Sequence, residues 1–177
     1  EYYYEIHPSQ LNLEMLMVTR IAKTINGIGY GGQKINSQVL RWQKKNNQIL
    51  LRIVSYENIA SDSLPIYESV RNSNFEPILY AFEIETHNPE DSSVLINVSP
   101  LFNTDVKALG FPQFRRKSLK ITSLDKKRSF IESIKSFPTN IEVRNVLTYI
   151  STDPPSTRNS QTISLEVNNS MILLPND

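Results

Sequence analysis

The feature that most constrains the fold of this chain is a recurring alternation of apolar and polar positions with a period of two. Apolar residues recur at this spacing in three stretches, residues 78–84, 141–149 and 162–167. Successive side chains of a β-strand point to opposite faces of its sheet, so the pattern predicts strands with one buried face. We therefore predict a mainly β fold of antiparallel sheets, in a sandwich or saddle-like arrangement, with one or two short helices.

Two segments depart from simple alternation. Residues 13–21 are apolar on both faces at their centre, which predicts a central strand that is covered on both sides. Residues 130–137 carry Phe130, Ile134 and Phe137 at helical spacing, but their β-branched and serine content favours a strand. We predict strands for both segments.

Two Asn-Asn pairs are predicted to form hairpin turns. Asparagine tolerates the left-handed backbone conformation that a tight two-residue turn requires. Asn46 and Asn47 lie between two strand-like stretches, and so do Asn168 and Asn169. The joined stretches would be residues 39–42 with 49–54, and residues 163–167 with 171–174.

Helix signals are few. A serine–aspartate–serine run at residues 61–63 can cap a short helix over residues 64–71. A second helix is predicted over residues 100–109, ending at a glycine. Loops are predicted at residues 87–93, 110–117 and 153–160.

The composition and the length limit which classes of protein this chain can belong to. The chain has 177 residues, enough for one domain, and 39% of them are hydrophobic, enough for a real core. The 19 basic and 18 acidic residues nearly cancel, so no net field recruits nucleic acid or an anionic membrane. No apolar run approaches the roughly 18 residues of a membrane helix. We expect neither a nucleic-acid partner nor a membrane span.

The absence of cysteine removes disulfides, thiolate nucleophiles and cysteine metal sites together. The chain begins at Glu1 and enters strand-like sequence at once. We expect residues 1–177 to form a single β-rich domain that is a piece of a longer protein, from which an export signal could have been removed.

Four of the five glycines fall within six residues, in what we call the glycine loop, residues 27–34. Glycine suits backbone with a positive φ angle and the close approach of another chain or ligand. We therefore predict that this loop binds a partner, with a tyrosine for side-chain contact and a lysine for an anion. The predicted binding residues are Gly27, Gly29, Tyr30, Gly31, Gly32 and Lys34.

Three of these glycines also match the spacing of the dinucleotide-binding fingerprint. That fingerprint needs a helix after the glycines, whose N-terminus meets the pyrophosphate. Residues 35–42 have the pattern of a strand instead, so the context argues against nucleotide binding. Two interpretations remain, a flexible loop or bulge between strands and a loop that approaches the backbone of a partner.

No motif marks a catalytic or metal centre. The two histidines, His7 and His87, are far apart, and neither has a second histidine at i+3 or i+4. We expect both to be surface or turn residues. The motifs G-x-S-x-G and H-E-x-x-H are absent as well. We predict no catalytic residue, no metal site and no cofactor in this chain.

Two basic runs and several aromatic residues each have two interpretations. The runs at residues 114–117 and 126–128 either meet phosphate or an acidic partner, or are solvated ends of loops and strands. The near-neutral net charge favours the second. Trp42 and the tyrosines at residues 2–4 either line a sugar or peptide groove or pack within the core. We expect Trp42 to be largely buried.

Seven segments, in order over essentially the whole chain, resemble a known family. They are GYGGQKINSQVLRW (residues 29–42), VSYEN (54–58), DSLPIY (62–67), VRNSNFEPI (70–78), LDKKRSFIESIKSFP (124–138), NIEVR (140–144) and TISLEVNNSM (162–171). Together they resemble the uncharacterised domain that precedes the catalytic domain in large exported zinc metallopeptidases of Gram-negative bacteria.

The resemblance implies a parent protein with a downstream metzincin-like domain that carries the extended H-E-x-x-H motif. The zinc ligands and the catalytic glutamate would then lie outside this chain, so no catalytic role passes to any residue here. It also implies export to the periplasm, outer membrane or cell surface. The implied partners are the catalytic domain of the same polypeptide and a peptide substrate.

We therefore expect a non-catalytic domain that packs on the catalytic domain of a zinc metallopeptidase and helps shape its substrate cleft. The alternative is a self-standing β module that binds peptide or glycan through the glycine loop and nearby aromatic residues. An independent hydrolase is the least favoured alternative, because no hydrolase motif is present.

Overall fold

The computed structural model describes residues 1–56, 63–156 and 158–175. These residues form one curled antiparallel sheet with three short α-helices, so the predicted mainly β, antiparallel fold is confirmed. The strands are β1 (Tyr3–Ile6), β2 (Glu14–Lys23), β3 (Lys34–Lys45), β4 (Gln48–Ile53), β5 (Ile78–His87), β6 (Val94–Asn97), β7 (Ile121–Leu124), β8 (Phe130–Ser136), β9 (Asn140–Ser151) and β10 (Thr162–Leu173). The helices are α1 (Tyr67–Ser73), α2 (Ser99–Asn103) and α3 (Gln113–Ser118).

β2 is a central strand, as its doubly apolar sequence predicted. The strand order is β1-β6-β5-β4-β3-β2-β10-β9, and β7 and β8 pair with different parts of the far edge of β9. β2 therefore lies between β3 and β10. Its pairing with β10 joins the first half of the chain to the second, with Thr19 opposite Asn169.

The buried side chains form two clusters along the curled sheet. The first cluster surrounds Trp42, which is 3% exposed and whose ring lies 6.5 Å from that of Tyr4 and 5.8 Å from that of Phe82. The predicted burial of Trp42 is therefore confirmed. The second cluster includes Ile21, Ile28, Phe111, Leu119, Tyr149 and Leu165.

The two Asn-Asn pairs have different outcomes. Asn46 and Asn47 join β3 to β4 in a two-residue turn, in which Asn46 has a φ of 54°. This prediction is confirmed. The hairpin predicted at Asn168 and Asn169 is wrong, because β10 runs through both residues without a break.

Asn169 stays in the strand because its side chain completes a buried chain of hydrogen bonds. Thr19 Oγ1 donates to Asn169 Oδ1 at 2.6 Å, and Asn169 Nδ2 donates to Asn145 Oδ1 at 2.8 Å. Asn145 Nδ2 in turn donates to the Phe102 carbonyl at 2.7 Å. Since a buried polar group without a partner costs about 1–3 kcal/mol, these tertiary contacts outweigh the turn propensity of asparagine.

The helices differ in detail from the predicted ones. α1 begins later than the predicted helix over residues 64–71, and residues 61 and 62 of its predicted cap lie outside the described residues. The helix predicted over residues 100–109 is two pieces, α2 and a 3-10 turn at Lys107–Leu109, because Thr104 and Val106 have extended backbones.

The loop predicted over residues 110–117 is wrong, since it contains most of α3. Six residues give too few turns for a helical period to show in the sequence. The strand predicted over residues 130–137 is confirmed by β8. Among the described helices, none has the length and apolar character needed to cross a membrane.

Candidate functional site

The glycine loop lies in the connection from β2 to β3, and its backbone continues the ladder of these strands. Ile21 N–H donates to the Gln33 carbonyl at 2.9 Å, and Gly32 N–H donates to the Ile21 carbonyl at 2.7 Å. Gln33 N–H closes a turn on the Tyr30 carbonyl at 3.1 Å. β3 begins at Lys34, so a strand stands where the dinucleotide fingerprint needs a helix, as predicted.

Three of the loop glycines have positive φ angles, 86° at Gly27, 154° at Gly29 and 89° at Gly32. Gly29 is the most constrained of them. A Cβ at this position would lie 2.2 Å from Gln33 Oε1 and 3.0 Å from Ile21 Cδ1. The positive φ angle therefore disfavours a side chain here, and the ends of the Gln33 and Ile21 side chains would have to move to admit one.

Gly31 has a different constraint, because a Cβ there would make a tight contact of 3.3 Å with the Ala22 carbonyl oxygen. The positive φ angles predicted for this run of glycines are thus present, and Gly31 adds a close backbone contact. The close contacts are with this chain itself. That the loop also contacts a partner stays a prediction.

The loop is anchored from two sides. The side chain of Ile28 is buried in the second core cluster. The carbonyl of the same residue accepts a hydrogen bond from the Arg115 guanidinium of α3, a residue 87 positions away in the chain. The Arg115 guanidinium also lies 5.9 Å from the centre of the Phe111 ring. The glycine loop and α3 are therefore held together as one unit.

A groove of about 240 Å³ lies between the glycine loop, the start of β3 and α3. Two aromatic side chains near it are strongly exposed, Tyr30 on the loop (69%) and Phe114 on α3 (70%). Lys34 is exposed as well. We call this site the loop groove, and its lining residues are Ile21, Gln33, Lys34, Ile35, Phe111, Pro112, Phe114 and Arg115.

Of the predicted binding residues, Lys34 alone lines the loop groove. Gly27, Gly29, Gly31 and Gly32 shape the loop beside it, and Tyr30 lies on that loop. The opposite wall, formed by Phe114 and Arg115 of α3, is not predicted from the sequence. The signal was the basic run at residues 114–117 with its aromatic residue, but nothing in the sequence connected this run to the glycine loop.

Arg116 fits neither interpretation of that basic run, because it is 6% exposed. Its terminal nitrogens lie 3.0 Å and 2.6 Å from the two carboxylate oxygens of Asp105, and its Nε donates to the Phe111 carbonyl at 2.9 Å. This bidentate ion pair is the strong form of an arginine–carboxylate contact. Arg116 therefore holds α3 in place and is not available to a ligand.

Tyr149 lies under α3 in the second core cluster. Its ring centre is 5.2 Å from the Arg116 guanidinium carbon and 5.8 Å from the centre of the Phe111 ring. Burial raises the pKa of Tyr149 to about 12, because the ionised phenolate would lose its hydration there. The core beneath α3 therefore contains a buried, neutral phenol beside Arg116 and Phe111.

A second groove, of about 470 Å³, contains two arginines, and we call it the arginine groove. Arg41 Nη2 lies 3.0 Å from Glu14 Oε1 and 3.1 Å from Glu76 Oε1. The Tyr56 hydroxyl donates to Glu14, and this hydrogen bond raises the pKa of Tyr56 to about 12. The groove is lined by Asn12, Arg41, Gln43, Arg52, Tyr67, Asn74, Phe75 and Glu76.

Arg52 of the arginine groove also has partners within the chain. Its Nε donates to Gln43 Oε1 at 2.7 Å, and its Nη1 donates to the Glu76 carbonyl at 2.6 Å. Its guanidinium carbon lies 4.9 Å from the centre of the Phe75 ring. Phe75 is 77% exposed. Both cations of this groove are thus engaged by neighbouring groups.

The histidines do not come together. His7 caps a 3-10 turn at Pro8–Gln10 through its ring nitrogen, and His87 is the exposed last residue of β5. Over residues 1–56, 63–156 and 158–175, no group of three or more His, Cys, Asp or Glu side chains is placed to hold a metal ion.

Comparison with known proteins gives a family match. A family model described as "Domain of unknown function (DUF5117)" matches residues 32–177, a range that includes Lys34 and all of α3. No curated protein and no solved structure gives a match. Because the family model covers most of the chain, this protein belongs to the family described as Domain of unknown function (DUF5117).

Proposed function

We propose that this chain is a non-catalytic domain of an exported zinc metallopeptidase, which packs on the catalytic domain and helps shape its substrate cleft. The proposal rests on the resemblance of the seven segments and on the loop groove as a contact surface. In it, zinc and the catalytic residues belong to the downstream domain. The protein would act in the periplasm, in the outer membrane or at the surface of a Gram-negative bacterium.

The observation that carries the proposal is the exposure of Tyr30 and Phe114 on a firmly anchored frame. Tyr30 is 69% and Phe114 is 70% exposed. The backbone around them is held by the ladder to β2 and by the contact between Arg115 and Ile28. Exposed aromatic side chains on a rigid frame are typical anchors of protein interfaces, since little entropy is lost on binding.

The test uses the full-length protein with both aromatic residues replaced, Tyr30→Ser and Phe114→Ser. We expect kcat/KM for peptide hydrolysis to fall about thirtyfold, because two interface anchors worth about 1 kcal/mol each contribute about 2 kcal/mol together. The matched control is Phe75→Ser in the arginine groove, whose side chain is equally exposed at 77%. Unchanged activity in the double variant, or an equal loss in the control, contradicts the proposal.

The second candidate is a self-standing module that binds peptide. It is favoured by the apolar and cationic lining of the loop groove, which suits a peptide side chain better than a glycan. Under this alternative the Tyr30 and Phe114 substitutions leave hydrolysis unchanged. They would instead weaken binding of a peptide to the 177-residue chain.

A further inference from the structure

We infer that the loop groove binds an acidic peptide segment, in which an aspartate or glutamate lies next to a large apolar side chain. The inference rests on the proposed function, because it takes this segment to be part of the catalytic domain of the same polypeptide. It adds the chemistry of the segment, which neither the family match nor the resemblance specifies.

The size of the loop groove limits what can enter it. Its volume is about 240 Å³. Pockets for whole small molecules have volumes of about 300–1,000 Å³, so this groove accepts one or two side chains of a chain that continues outside it. Ile21, Ile35 and Phe111 give it apolar walls, and the exposed ring of Phe114 extends one of them. A leucine or phenylalanine side chain fits such walls.

The charge of the groove selects the neighbour of that apolar side chain. Lys34 and Arg115 line the groove, and no carboxylate is among its lining residues. Within the part of the chain that the structure describes, neither Lys34 nor Arg115 forms an ion pair. An occupant with a carboxylate therefore meets two cations that have no ion-pair partner among the described residues.

Arg115 is also oriented before any ligand arrives. One terminal nitrogen donates to the Ile28 carbonyl, and the guanidinium lies 5.9 Å from the centre of the Phe111 ring. A guanidinium has five N–H donors, so donors remain for a carboxylate. Because the side chain is already held, a ligand that binds it loses less entropy than one that must order a free arginine.

The experiment titrates the 177-residue chain with an acetylated and amidated tetrapeptide, Gly-Asp-Phe-Gly, and follows backbone amides by NMR. The analogue Gly-Asn-Phe-Gly keeps the shape and removes the charge. We expect saturable shifts at residues 34, 35, 111 and 113–115, and a Kd about fivefold weaker for the uncharged analogue, as for a partly solvated ion pair. Higher salt should reduce this difference.

Two charge reversals on the same strand test the site. Lys34→Glu should weaken binding of Gly-Asp-Phe-Gly about tenfold, because attraction is replaced by repulsion. Lys45→Glu, at the other exposed end of β3, should change the Kd by less than about twofold, because Lys45 lies outside the groove. Lys34→Ala, which introduces no repulsion, should give an intermediate loss.

The inference is overturned if residues 34, 35, 111 and 113–115 show no saturable shift, if both peptides bind equally, or if the two charge reversals have equal effects. Its failure is distinct from that of the proposed function. Loss of peptidase activity in the Tyr30 and Phe114 variant without binding of the acidic peptide overturns the inference alone. Binding of the peptide with unchanged peptidase activity overturns the proposed function and supports the self-standing module.

Discussion

The loop groove and the arginine groove each present two basic side chains, but the two pairs differ in whether acidic and carbonyl groups of the chain already neutralise or engage them. In the arginine groove, Arg41 lies within 3.1 Å of two glutamates, and Arg52 is engaged by Gln43 and by the Glu76 carbonyl. In the loop groove, no carboxylate lines the walls, and neither Lys34 nor Arg115 forms an ion pair with any residue that the structure describes. The smaller groove is therefore the one whose charge is available to a ligand.

The two grooves also differ in what supports them. The wall of the loop groove rests on Arg116 and Asp105, a pair in which the arginine is buried. The arginine groove is built from partly exposed ion pairs at the surface of the sheet. A groove with buried support and unpaired surface charge can bind a charged partner without giving up stability, whereas the other must first break its own contacts.

The largest expected difference is in how much stability is lost when the arginine that supports each groove, Arg116 or Arg41, is replaced. Arg116→Met should lower the free energy of unfolding by about 3 kcal/mol, because Asp105 and the Phe111 carbonyl lose a buried partner. Arg41→Met should lower it by only about 1 kcal/mol, because Glu14 and Glu76 remain in contact with water. Urea unfolding followed by fluorescence of Trp42 measures both, and equal losses would remove the distinction between the two supports.

The second difference concerns Tyr149 and Tyr56, whose pKa values are raised to a similar level by different causes, burial for Tyr149 and a hydrogen bond to Glu14 for Tyr56. Burial raises the pKa of Tyr149 from its ordinary value of 10.0 to about 12. The unfolded chain ionises first as pH rises, so the stability from the neutral phenol is present below pH 10 and is lost between about pH 10 and 12. This contribution is about 2–3 kcal/mol for a shift of this size.

Alkaline unfolding curves of two variants test this difference. Tyr149→Phe should flatten the loss of stability between pH 10 and 12, and Tyr4, whose pKa burial also raises, should account for part of what remains. Tyr56→Phe should leave the slope nearly unchanged, because Tyr56 is exposed and its hydrogen bond to Glu14 is screened by solvent. A steeper slope in Tyr149→Phe than in the unaltered protein would refute the assignment.

A third pair of variants compares positive φ angles near each groove. Gly29→Ala should cost about 2 kcal/mol, because φ is 154° and the new Cβ would meet Ile21 and Gln33. Asn12→Ala, at the arginine groove with a φ of 64°, should cost about 1 kcal/mol, since this conformation is less strained for a non-glycine residue. Thermal unfolding of both variants gives the comparison, and a greater loss for Asn12→Ala would contradict it.

The smallest expected effect on stability comes from removing the charge of Lys34 in the loop groove. Lys34→Ala should change the free energy of unfolding by less than about 0.5 kcal/mol, because Lys34 is exposed and has no partner in the described chain. Glu76→Ala should cost up to about 1 kcal/mol, because Arg41 loses one of its carboxylates. If Lys34→Ala proves the more destabilising, then Lys34 has a structural role and its charge is not free for a ligand.

The sequence predicts strands well where side chains alternate and predicts turns poorly where tertiary contacts compete. Asn46-Asn47 and Asn168-Asn169 are the same dipeptide between similar strands, yet one is a turn and the other lies within β10. The difference is the partner of Asn169, a threonine 150 positions away, at 2.6 Å. No local pattern contains that contact.

The sequence predicts one side of the loop groove, the glycine loop, and does not predict the other side, α3. The glycine loop was identified because glycine carries a local signal of positive φ or close backbone approach. Its opposite wall was not, because α3 has only six residues and its contact with the loop joins residues 87 positions apart. The basic run at residues 114–117 is visible in the sequence, but the separate roles of the buried Arg116 and the groove-lining Arg115 depend on packing.

The pairing of β2 with β10 has a consequence for how the chain acquires its structure. β2 to β6 are neighbours in chain order and can pair as they emerge from the ribosome, but β2 keeps an open edge until β10 arrives. An unpaired edge can recruit a strand from another molecule. Contacts across 150 residues also form slowly, because a long loop must close first. During synthesis, the interval before β10 arrives is therefore the stage at which aggregation is most favoured and protection by a chaperone has the greatest effect.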